Sequence, residues 1–292
     1  MNQIKIEEVL QRASSCLKDA GVDEPRIEAE LLLAFCMQLG RLQLYLARTE
    51  IIPPKIETVY RELIERRCFG EPSAYITGEK FFYGRRFLVN RNVLIPRPET
   101  ELIVDSALEW STLKQEQMRI NSIDLGTGSG ILAITLALEL PTASFTAVDI
   151  SAAALVTARI NAAQHRVENK IAFHCGHYFD ALEAISPKPL YNLVVSNPPY
   201  ISDLEMENLP QQIRGYEPNE ALHGGEDGMD GYRAILKKLP DYIQSPGLLL
   251  LEVGAGQKEI VENLCRQTGL FRSINWRRDL AGHPRLLEGE IN

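Results

Sequence analysis

Apolar residues recur every three or four positions through the N-terminal part of the chain, as they do along one face of an α-helix. In residues 6–21 they form a single stripe that ends at Gly21. Residues 23–40 and 53–70 repeat this arrangement, with prolines near each start and a glycine at each end. The pattern predicts a small helical bundle.

The pattern changes in the segment that follows. Residues 75–94 are rich in aromatic and β-branched residues, and Gly78 and Gly84 are candidate turn positions, so we expect a strand hairpin that links two domains. From about residue 95, helical and strand patterns alternate, which predicts a mostly parallel sheet with helices on both faces. Two strand-like patterns, in "FRSINWRRDL" and "RLLEGEI", finish the chain. The expected divisions are 1–74, 75–94 and 95–292.

One of these strands ends abruptly. The stretch "LYNLVVSNPPYISD", residues 190–203, begins as a buried strand and then places Asn197, Pro198, Pro199 and Tyr200 at its C-terminal tip. Adjacent prolines cannot donate hydrogen bonds to a sheet, so the strand must stop there. Parallel sheets bind ligands beyond the carboxyl ends of their strands. Taken alone, the motif fits either a ligand site or an ordinary Pro-Pro turn.

A second candidate site lies in "IDLGTGSGILA", where Gly126, Gly128 and Gly130 alternate between a strand and a helix. Glycines there allow a backbone to approach a ligand closely, although a structural tight turn is an alternative. The spacing is neither that of a dinucleotide fingerprint nor that of a P-loop. The next strand ends in Asp149, whose carboxylate can accept the ribose hydroxyls of an adenosyl group.

Composition and charge exclude other classes of protein. The chain has 292 residues, 45% of them hydrophobic and 24% charged, which is typical of a globular protein. The net charge of −8 and the lack of a basic stripe argue against a non-specific nucleic-acid binder. The longest apolar stretch, "ILAITLALEL", is shorter than the roughly 20 residues that cross a bilayer. We therefore expect a soluble, cytoplasmic protein with no signal peptide.

The cysteine and histidine positions predict no metal site. The five cysteines are scattered and never form a C-x-x-C pair, which favours reduced thiols in a cytoplasm. The cluster at residues 174–177 contains two histidines and a cysteine, but no second cluster of ligands accompanies it. We expect no bound metal.

The joint pattern of "DLGTGSG", a second-strand acid and "NPPY" resembles the class I S-adenosylmethionine-dependent methyltransferases that act on planar nitrogen. Essentially the whole chain is similar to the HemK/PrmC family of bacterial release-factor glutamine methyltransferases. The similarity includes the hairpin "AYITGEKFFYGRRFLV", the junction "VLIPRPETE", the later "YEPNEALHGGEDGMDGY" and the strand "LLLEVGAGQ". The resemblance implies a Rossmann-like α/β fold, in which a mostly parallel sheet ends in a C-terminal antiparallel hairpin. A small helical-bundle domain that recognises the substrate would precede it.

The resemblance also implies an activity, a cofactor and a partner. The activity would be N5-methylation of the glutamine side chain in the Gly-Gly-Gln motif of class 1 peptide release factors. S-adenosylmethionine would be the cofactor and S-adenosylhomocysteine the product, without a membrane or a nucleic-acid substrate. The implied cofactor-binding residues are Gly126, Thr127, Gly128, Ser129, Gly130, Asp149, Tyr178 and Asn197. The implied substrate-binding residues are Asn197, Pro198, Pro199 and Tyr200, with Asn197 and Pro198 catalytic.

The chemistry of amide nitrogen explains why such a site needs these residues. The lone pair of an amide nitrogen is delocalised, so a general base achieves little. Two acceptors that hold both N–H groups would turn the lone pair towards the methyl group and stabilise the charge that develops on nitrogen. The Asn197 side-chain carbonyl and the Pro198 backbone carbonyl can supply them. Tyr200 offers a flat face on which a planar amide can stack.

Two positions leave questions about the cofactor. Members of the family often carry an acid followed by an aromatic pair near adenine, whereas this chain has His177 and Tyr178 there. Tyr178 can still lie along adenine, but the hydrogen bond to the adenine amino group needs another acceptor, such as a backbone carbonyl. Asp124 fits either the methionine end of the cofactor or a structural bond to the loop amides.

Three alternatives remain at this point. A ribosomal-protein glutamine methyltransferase would use the same chemistry on another protein. A nucleic-acid adenine methyltransferase would need a basic recognition region, whereas residues 1–71 contain more acidic than basic side chains. A non-catalytic binding module would not need an intact glycine loop.

Overall fold

The computed structural model describes residues 4–114 and 119–291. The chain divides into two compact units. The first consists of Met1–Glu79 with Pro210–Tyr216, and the second of Lys80–Leu209 with Glu217–Asn292. Segment 210–216 thus belongs to the helical unit, although it is far from it in sequence.

The first unit is built from helices that share one apolar core. They are α1 (Ile6–Asp19), α2 (Pro25–Met37), α3 (Arg41–Leu46), α4 (Pro54–Cys68) and α5 (Ser73–Thr77). Leu10 and Leu33 are buried in this core together with Tyr60, whose hydroxyl donates a 2.9 Å hydrogen bond to the backbone carbonyl of Ala29. The helices predicted from sequence are present, and α3 and α5 are short additional ones.

The predicted strand hairpin is present. It consists of β1 (Glu79–Phe82) and β2 (Arg85–Leu88). Tyr83 and Gly84 form its turn with φ values of 49° and 69°. Two consecutive positive φ angles are typical of a tight turn whose twist matches that of the strands.

The helices and strands that follow the hairpin belong to the second unit, except α10, which belongs to the first. In chain order these elements are α6 (Glu101–Lys114), β3 (Asn121–Leu125), α7 (Ile131–Glu139), β4 (Ser144–Asp149), α8 (Ala152–Gln164), β5 (Ile171–Cys175), β6 (Tyr191–Ser196), α9 (Asp203–Glu207), α10 (Gln211–Arg214), α11 (Asp230–Lys238), β7 (Ile243–Glu252), α12 (Lys258–Gln267), β8 (Phe271–Arg278) and β9 (Pro284–Ile291). Among the described residues, the strands after the hairpin form a seven-stranded sheet in the order β5-β4-β3-β6-β7-β9-β8.

The directions of the strands agree with the prediction. Strands β3 to β7 run parallel, while β9 runs antiparallel to both β7 and β8. The sheet buries a core on each face: Leu248 and Leu250 join α6 and α7 on one side, and Leu249 and Leu251 join α11 and α12 on the other. A strand buried on both faces requires such an unbroken apolar run.

No helix within residues 4–114 and 119–291 is long and apolar enough to cross a membrane.

Candidate active site

A cleft of about 330 Å³ lies beyond the carboxyl ends of β3, β4 and β6. This is where an open parallel sheet binds ligands, because the loops after neighbouring strands diverge there. The cleft is formed within the second unit. Of the residues that the sequence nominates, it is lined by Gly126, Thr127, Gly128, Ser129, Asp149, Tyr178, Asn197 and Pro199.

The glycine loop after β3 is tied to the neighbouring strand β4. The backbone N–H groups of Gly126 and Thr127 both donate to the carbonyl of Val148, at 2.8 and 2.9 Å. The N–H of Gly128 donates to Oδ2 of Asp149 at 2.7 Å. These bonds hold the loop and the acid in one arrangement at the floor of the cleft.

The two later glycines of the loop serve different purposes. Both have positive φ, 55° at Gly128 and 85° at Gly130. A Cβ atom on Gly128 would meet nothing within 4 Å, whereas one on Gly130 would lie 2.8 Å from Cδ1 of Ile134 and 3.2 Å from Cβ of Ala158. Gly130 is not among the cleft-lining residues. Gly128 therefore leaves space in the cleft, and Gly130 lets helices α7 and α8 pack closely.

Asp124 lies under the loop and is only 2% exposed. Its Oδ2 accepts hydrogen bonds from the Thr127 hydroxyl at 2.6 Å and from the N–H of Ala133 at 3.2 Å. Burial raises its pKa to about 7 despite these bonds. Oδ1 is buried without a hydrogen-bond partner. The observed contacts are those of a residue that holds the loop and the start of α7.

Asp149 ends β4 and lines the cleft. Its Oδ1 accepts from the N–H of Ser151 at 2.9 Å, while Oδ2 accepts from Gly128. Burial raises its pKa, and these two backbone donors oppose the shift. Each carboxylate oxygen can accept more than one hydrogen bond, so both oxygens can still receive hydroxyl donors from a ligand.

Asn197 follows β6 and is held by two buried side chains. Its Nδ2 donates to Oγ1 of Thr100 at 3.2 Å, and Thr100 in turn donates to Oε2 of Glu252 at 2.6 Å. The Asn197 side chain is also close enough to Glu252 to lower the pKa of its carboxyl group. Glu252 and Thr100 are 3% and 1% exposed. The N–H₂ side of the amide is thus engaged by a hydrogen bond.

The main chain of the "NPPY" motif is held by a hydrogen bond from Gln257. Pro199 lines the cleft, whereas Pro198 is buried and Tyr200 is half-buried, and neither of these is among the cleft-lining residues. Nε2 of Gln257 donates to the backbone carbonyl of Tyr200 at 2.7 Å. Oε1 of Gln257 accepts from the N–H of Gly254 at 3.2 Å. Gln257, from the "LLLEVGAGQ" motif, thus anchors the main chain of the loop.

Tyr178 has a left-handed backbone, with φ 46°, and its half-buried side chain lines the cleft. Burial raises the pKa of its hydroxyl, so the phenol is neutral. His177 is exposed, lines the same cleft and packs edge-on against Tyr178 with 4.6 Å between the ring centroids. A Cβ on Gly231 would lie 2.8 Å from the Tyr178 hydroxyl, so this glycine leaves room for the ring.

Several residues that line the cleft were not among the sequence-based site predictions. They are Arg97, Thr100, Glu220, His223 and Asp230. All of them fall in segments already quoted for the resemblance, "VLIPRPETE" and "YEPNEALHGGEDGMDGY". The two segments are joined directly, because Nη2 of Arg97 donates to the buried Glu217 at 2.6 Å. The sequence signal that could have identified these five residues as part of the site is their position in motifs shared with the family.

The described cysteines are all free thiols, and no group of three or more His, Cys, Asp or Glu side chains within residues 4–114 and 119–291 could hold a metal ion.

Family comparisons match the two parts of the chain separately. The family described as PrmC N-terminal domain matches residues 8–78, and the Methyltransferase small domain matches residues 101–214. A relative from Koribacter versatilis, named Release factor glutamine methyltransferase, is 38% identical over 97% of this chain and 98% of its own length. A relative of the same name from Bacillus anthracis is 35% identical over 99% of this chain and 100% of its own.

Solved structures share the fold at low sequence identity. A methyltransferase from Pyrococcus furiosus is 14% identical with a TM-score of 0.50, and the match covers 72% of this chain and 90% of that one. The N-terminal domain of human METTL16, in complex with SAH, is 16% identical with a TM-score of 0.50 over 70% and 75% of the two chains. The fold and the site define a class I S-adenosylmethionine-dependent methyltransferase. The chain belongs to the HemK/PrmC family of release factor glutamine methyltransferases, as its sequence motifs predict.

Proposed function

We propose that this enzyme transfers the methyl group of S-adenosylmethionine to N5 of the glutamine side chain in the Gly-Gly-Gln motif of class 1 peptide release factors. The names of its full-length relatives support a release factor as the substrate. Because release factors act during translation, we also propose that the enzyme works in the cytoplasm.

The observation that carries the proposal is the position of Asn197. Its side chain lines the same cleft as the loop Gly126–Ser129 and the acid Asp149. A cofactor held by the loop and the acid and an amide held by Asn197 would therefore meet in one cavity, as methyl transfer requires. An Asn in an unrelated turn would not share a cleft with these groups.

Residues of this chain fit the cofactor in three respects. The open space over Gly128 allows a ligand to approach the backbone closely. The Asp149 carboxylate can accept from the ribose hydroxyls, and Tyr178 presents an aromatic ring to the cleft. We propose that Gly126, Thr127, Gly128, Ser129, Asp149, Tyr178 and Asn197 contact S-adenosylmethionine, and that Gly130 supports them through helix packing. S-adenosylmethionine, when bound, supplies an electrophilic methyl group.

Asn197 and Pro198 would orient the substrate amide. Oδ1 of Asn197 and the backbone carbonyl of Pro198 accept one N–H each, which directs the nitrogen lone pair towards the cofactor. Both acceptors gain strength as positive charge develops on nitrogen, so they stabilise the transition state more than the ground state. Pro199 and Tyr200 would shape the pocket around the glutamine side chain. The Gln257 bond to Tyr200 supports this, because it holds the main chain of the clamp in place.

The helical unit is proposed to recognise the protein substrate. Its match to the PrmC N-terminal domain ends at residue 78, close to our proposed boundaries of 1–74 for the recognition domain and 75–94 for the linker. The catalytic domain, 95–292, would then act on a glutamine presented by a partner that the helices hold.

The test is transfer of label from methyl-labelled S-adenosylmethionine. The full chain is incubated with a purified class 1 release factor, with the same factor carrying Gly-Gly-Asn in place of Gly-Gly-Gln, with ribosomal proteins, or with DNA. We expect label only in the unaltered factor, and a peptide mass increase of one methyl group on the glutamine. Labelling of a ribosomal protein or of adenine instead would refute the proposal.

A further inference from the structure

We infer that Glu252 is a positioning residue for the methyl-transfer reaction, which acts with Thr100 to hold the Asn197 amide so that its oxygen faces the cleft. The inference rests on the proposed function for its catalytic meaning, but the hydrogen-bond arrangement can be tested without a substrate.

The topology of the sheet brings these groups together. Strands β6 and β7 run parallel with Ser196 opposite Leu251. The residues that follow these two in the chain are Asn197, just after β6, and Glu252, the last residue of β7, so both lie at the same edge of the sheet. Thr100 reaches them from the short helical turn before α6, although it lies 152 residues from Glu252 in sequence. Thr100 and Glu252 therefore meet only because the chain folds, and not because they are close in sequence.

The direction of each hydrogen bond follows from the donors available. An ionised Glu252 can only accept, so the single hydroxyl proton of Thr100 goes to the carboxylate. The Thr100 oxygen is then left as an acceptor, and Asn197 must offer its N–H₂ group to it. A flipped amide would place Oδ1 against the Thr100 oxygen, whose only proton is already donated to the carboxylate, so two acceptors would face each other. The pair thus selects one of the two amide orientations.

This selection is what the proposed clamp needs. The flipped amide would present N–H₂ to the cleft, and two donors would then oppose the N–H of the substrate glutamine. The reacting nitrogen would lose its acceptor and its orientation, and small losses of alignment cost about 10- to 100-fold in rate. Glu252 does not line the cleft, so its effect on the reaction passes through Asn197.

The carboxylate is placed so that its charge responds to pH. Burial raises the pKa of Glu252 to about 7, with Glu99 adding to the increase and Arg285 and the side chains of Thr100 and Asn197 opposing it.

The other titratable groups that face Glu252 are Tyr200 and Tyr232, and burial raises the pKa of both hydroxyls, so they stay neutral near pH 7. A protonated Glu252 can donate to Oδ1 of Asn197 and thereby favour the flipped amide. We expect kcat to fall as the pH drops through about 7.

Three substitutions test the arrangement by activity. Glu252→Gln adds a donor that can bind Oδ1 of Asn197, and Thr100→Val removes the hydroxyl, while Thr100→Ser restores it. We expect the first two variants to lose about 10- to 100-fold in kcat at saturating S-adenosylmethionine. Thr100→Ser should recover most of the loss. The acid limb of the kcat profile near pH 7 should disappear in Glu252→Gln.

Ser106→Ala is a matched control. Ser106 is a buried hydroxyl on α6 that donates to Oε1 of Glu288 at 2.6 Å, the same distance as the Thr100–Glu252 bond, and it lies outside the cleft-lining residues. Its kcat should stay within about two-fold of the wild type. Equal loss in Ser106→Ala and Thr100→Val, or a loss in Thr100→Val that Thr100→Ser does not recover, would overturn the inference.

A spectroscopic measurement keeps the inference testable if the enzyme labels no release factor. In protein with isotope-labelled asparagine, the side-chain N–H₂ signals of Asn197 are assigned by their loss in Asn197→Ser. We expect them to shift between about pH 6 and about pH 8.5 in the wild type and to be insensitive to pH in Glu252→Gln. Signals that do not respond to pH in the wild type would refute the inference. If no release factor is labelled but the Asn197 signals shift with pH as expected, only the proposed substrate is refuted.

Discussion

The N–H of Gly128 donates to the Asp149 carboxylate at 2.7 Å, which joins the glycine loop after one strand to the acid at the tip of the next. A second backbone donor, the N–H of Ser151, holds the other oxygen at 2.9 Å. Because both oxygens are held by main-chain groups, the carboxylate is oriented before a ligand arrives. Binding then needs little reorganisation of the acid.

This arrangement predicts the effect of removing the acid. Asp149→Ala should weaken binding of S-adenosylhomocysteine by about 1–3 kcal/mol, because buried ribose hydroxyls would lose their acceptor. Calorimetry measures the affinity, and a thermal melt shows whether the loop has lost stability. Asp241→Ala, which removes an exposed carboxylate paired with Lys188, is the control and should bind normally. Unchanged affinity in Asp149→Ala would remove this acid from the cofactor site.

The glycine loop offers a matched pair of substitutions. Gly128→Ala and Gly130→Ala both place a Cβ on a residue with positive φ, which costs about 1–2 kcal/mol of stability in each. Only the Gly130 variant also drives a Cβ into Ile134 and Ala158.

We therefore expect Gly130→Ala to have the lower melting temperature, and Gly128→Ala to lose more affinity for S-adenosylhomocysteine relative to its stability. Titration calorimetry and thermal melts on the two proteins measure both quantities. If one variant had both the lower melting temperature and the larger loss of affinity, the two glycines would not have the separate roles assigned to them.

Much of the fold could be predicted from the sequence because local patterns carry it. The alternation of helix and strand, the apolar run of β7 and the Pro-Pro stop after β6 each follow from neighbouring residues, and the predicted fold class is confirmed. The helix α3 was missed because it has only six residues, too few to show a period. Contacts between segments that are distant in sequence could not be predicted either. Nothing near Gly130 shows that Ala158 will pack on it, and nothing near Thr100 shows that Glu252 will be its partner.

The helical unit carries an exposed apolar stripe. Ile27, Leu31 and Phe35 follow one another at four-residue spacing on α2 and are 38%, 38% and 41% exposed. If this unit recognises the protein substrate, the double substitution Leu31→Ser with Phe35→Ser should raise KM for a release factor several-fold and leave affinity for S-adenosylhomocysteine unchanged.

Leu113→Ser provides the comparison, because Leu113 is 73% exposed on α6 of the other unit. Steady-state kinetics with varied release factor measure the effect. A normal KM in the double variant would exclude the stripe from recognition.

The buried Glu252 predicts how stability depends on pH. Its pKa in the folded protein is about 7, against 4.5 for an ordinary glutamate. Between these values the folded protein keeps a proton that the unfolded chain has released, so the stabilisation is complete below the ordinary pKa and is lost as the pH rises through about 7.

Relative to Glu252→Gln, which does not titrate, the wild type should therefore lose roughly 2–3 kcal/mol of unfolding free energy between about pH 5 and about pH 8.5. Urea denaturation of both proteins at the two pH values measures the difference. A gap that does not change with pH would mean that burial leaves the pKa of Glu252 near its ordinary value.

Asn197 is the residue on which the proposed chemistry depends most. Asn197→Ala removes an acceptor that strengthens as charge develops on the substrate nitrogen, so kcat should fall by roughly 10²- to 10³-fold at saturating S-adenosylmethionine. Saturation matters because Asn197 lines the cleft and its loss can also weaken cofactor binding.

Asn197→Asp separates two effects within the same site. The aspartate keeps an acceptor and adds a negative charge, which attracts the sulfonium of the cofactor, but it cannot donate to Thr100 and it meets the buried Glu252 carboxylate. Two neighbouring carboxyl groups favour sharing a proton, so partial activity should return below about pH 7 and disappear above it. A residue with only a structural role would behave differently, because Asn197→Ala would then lower the melting temperature and leave kcat per folded molecule unchanged. That pattern in kinetics and thermal melts would rule out the clamp.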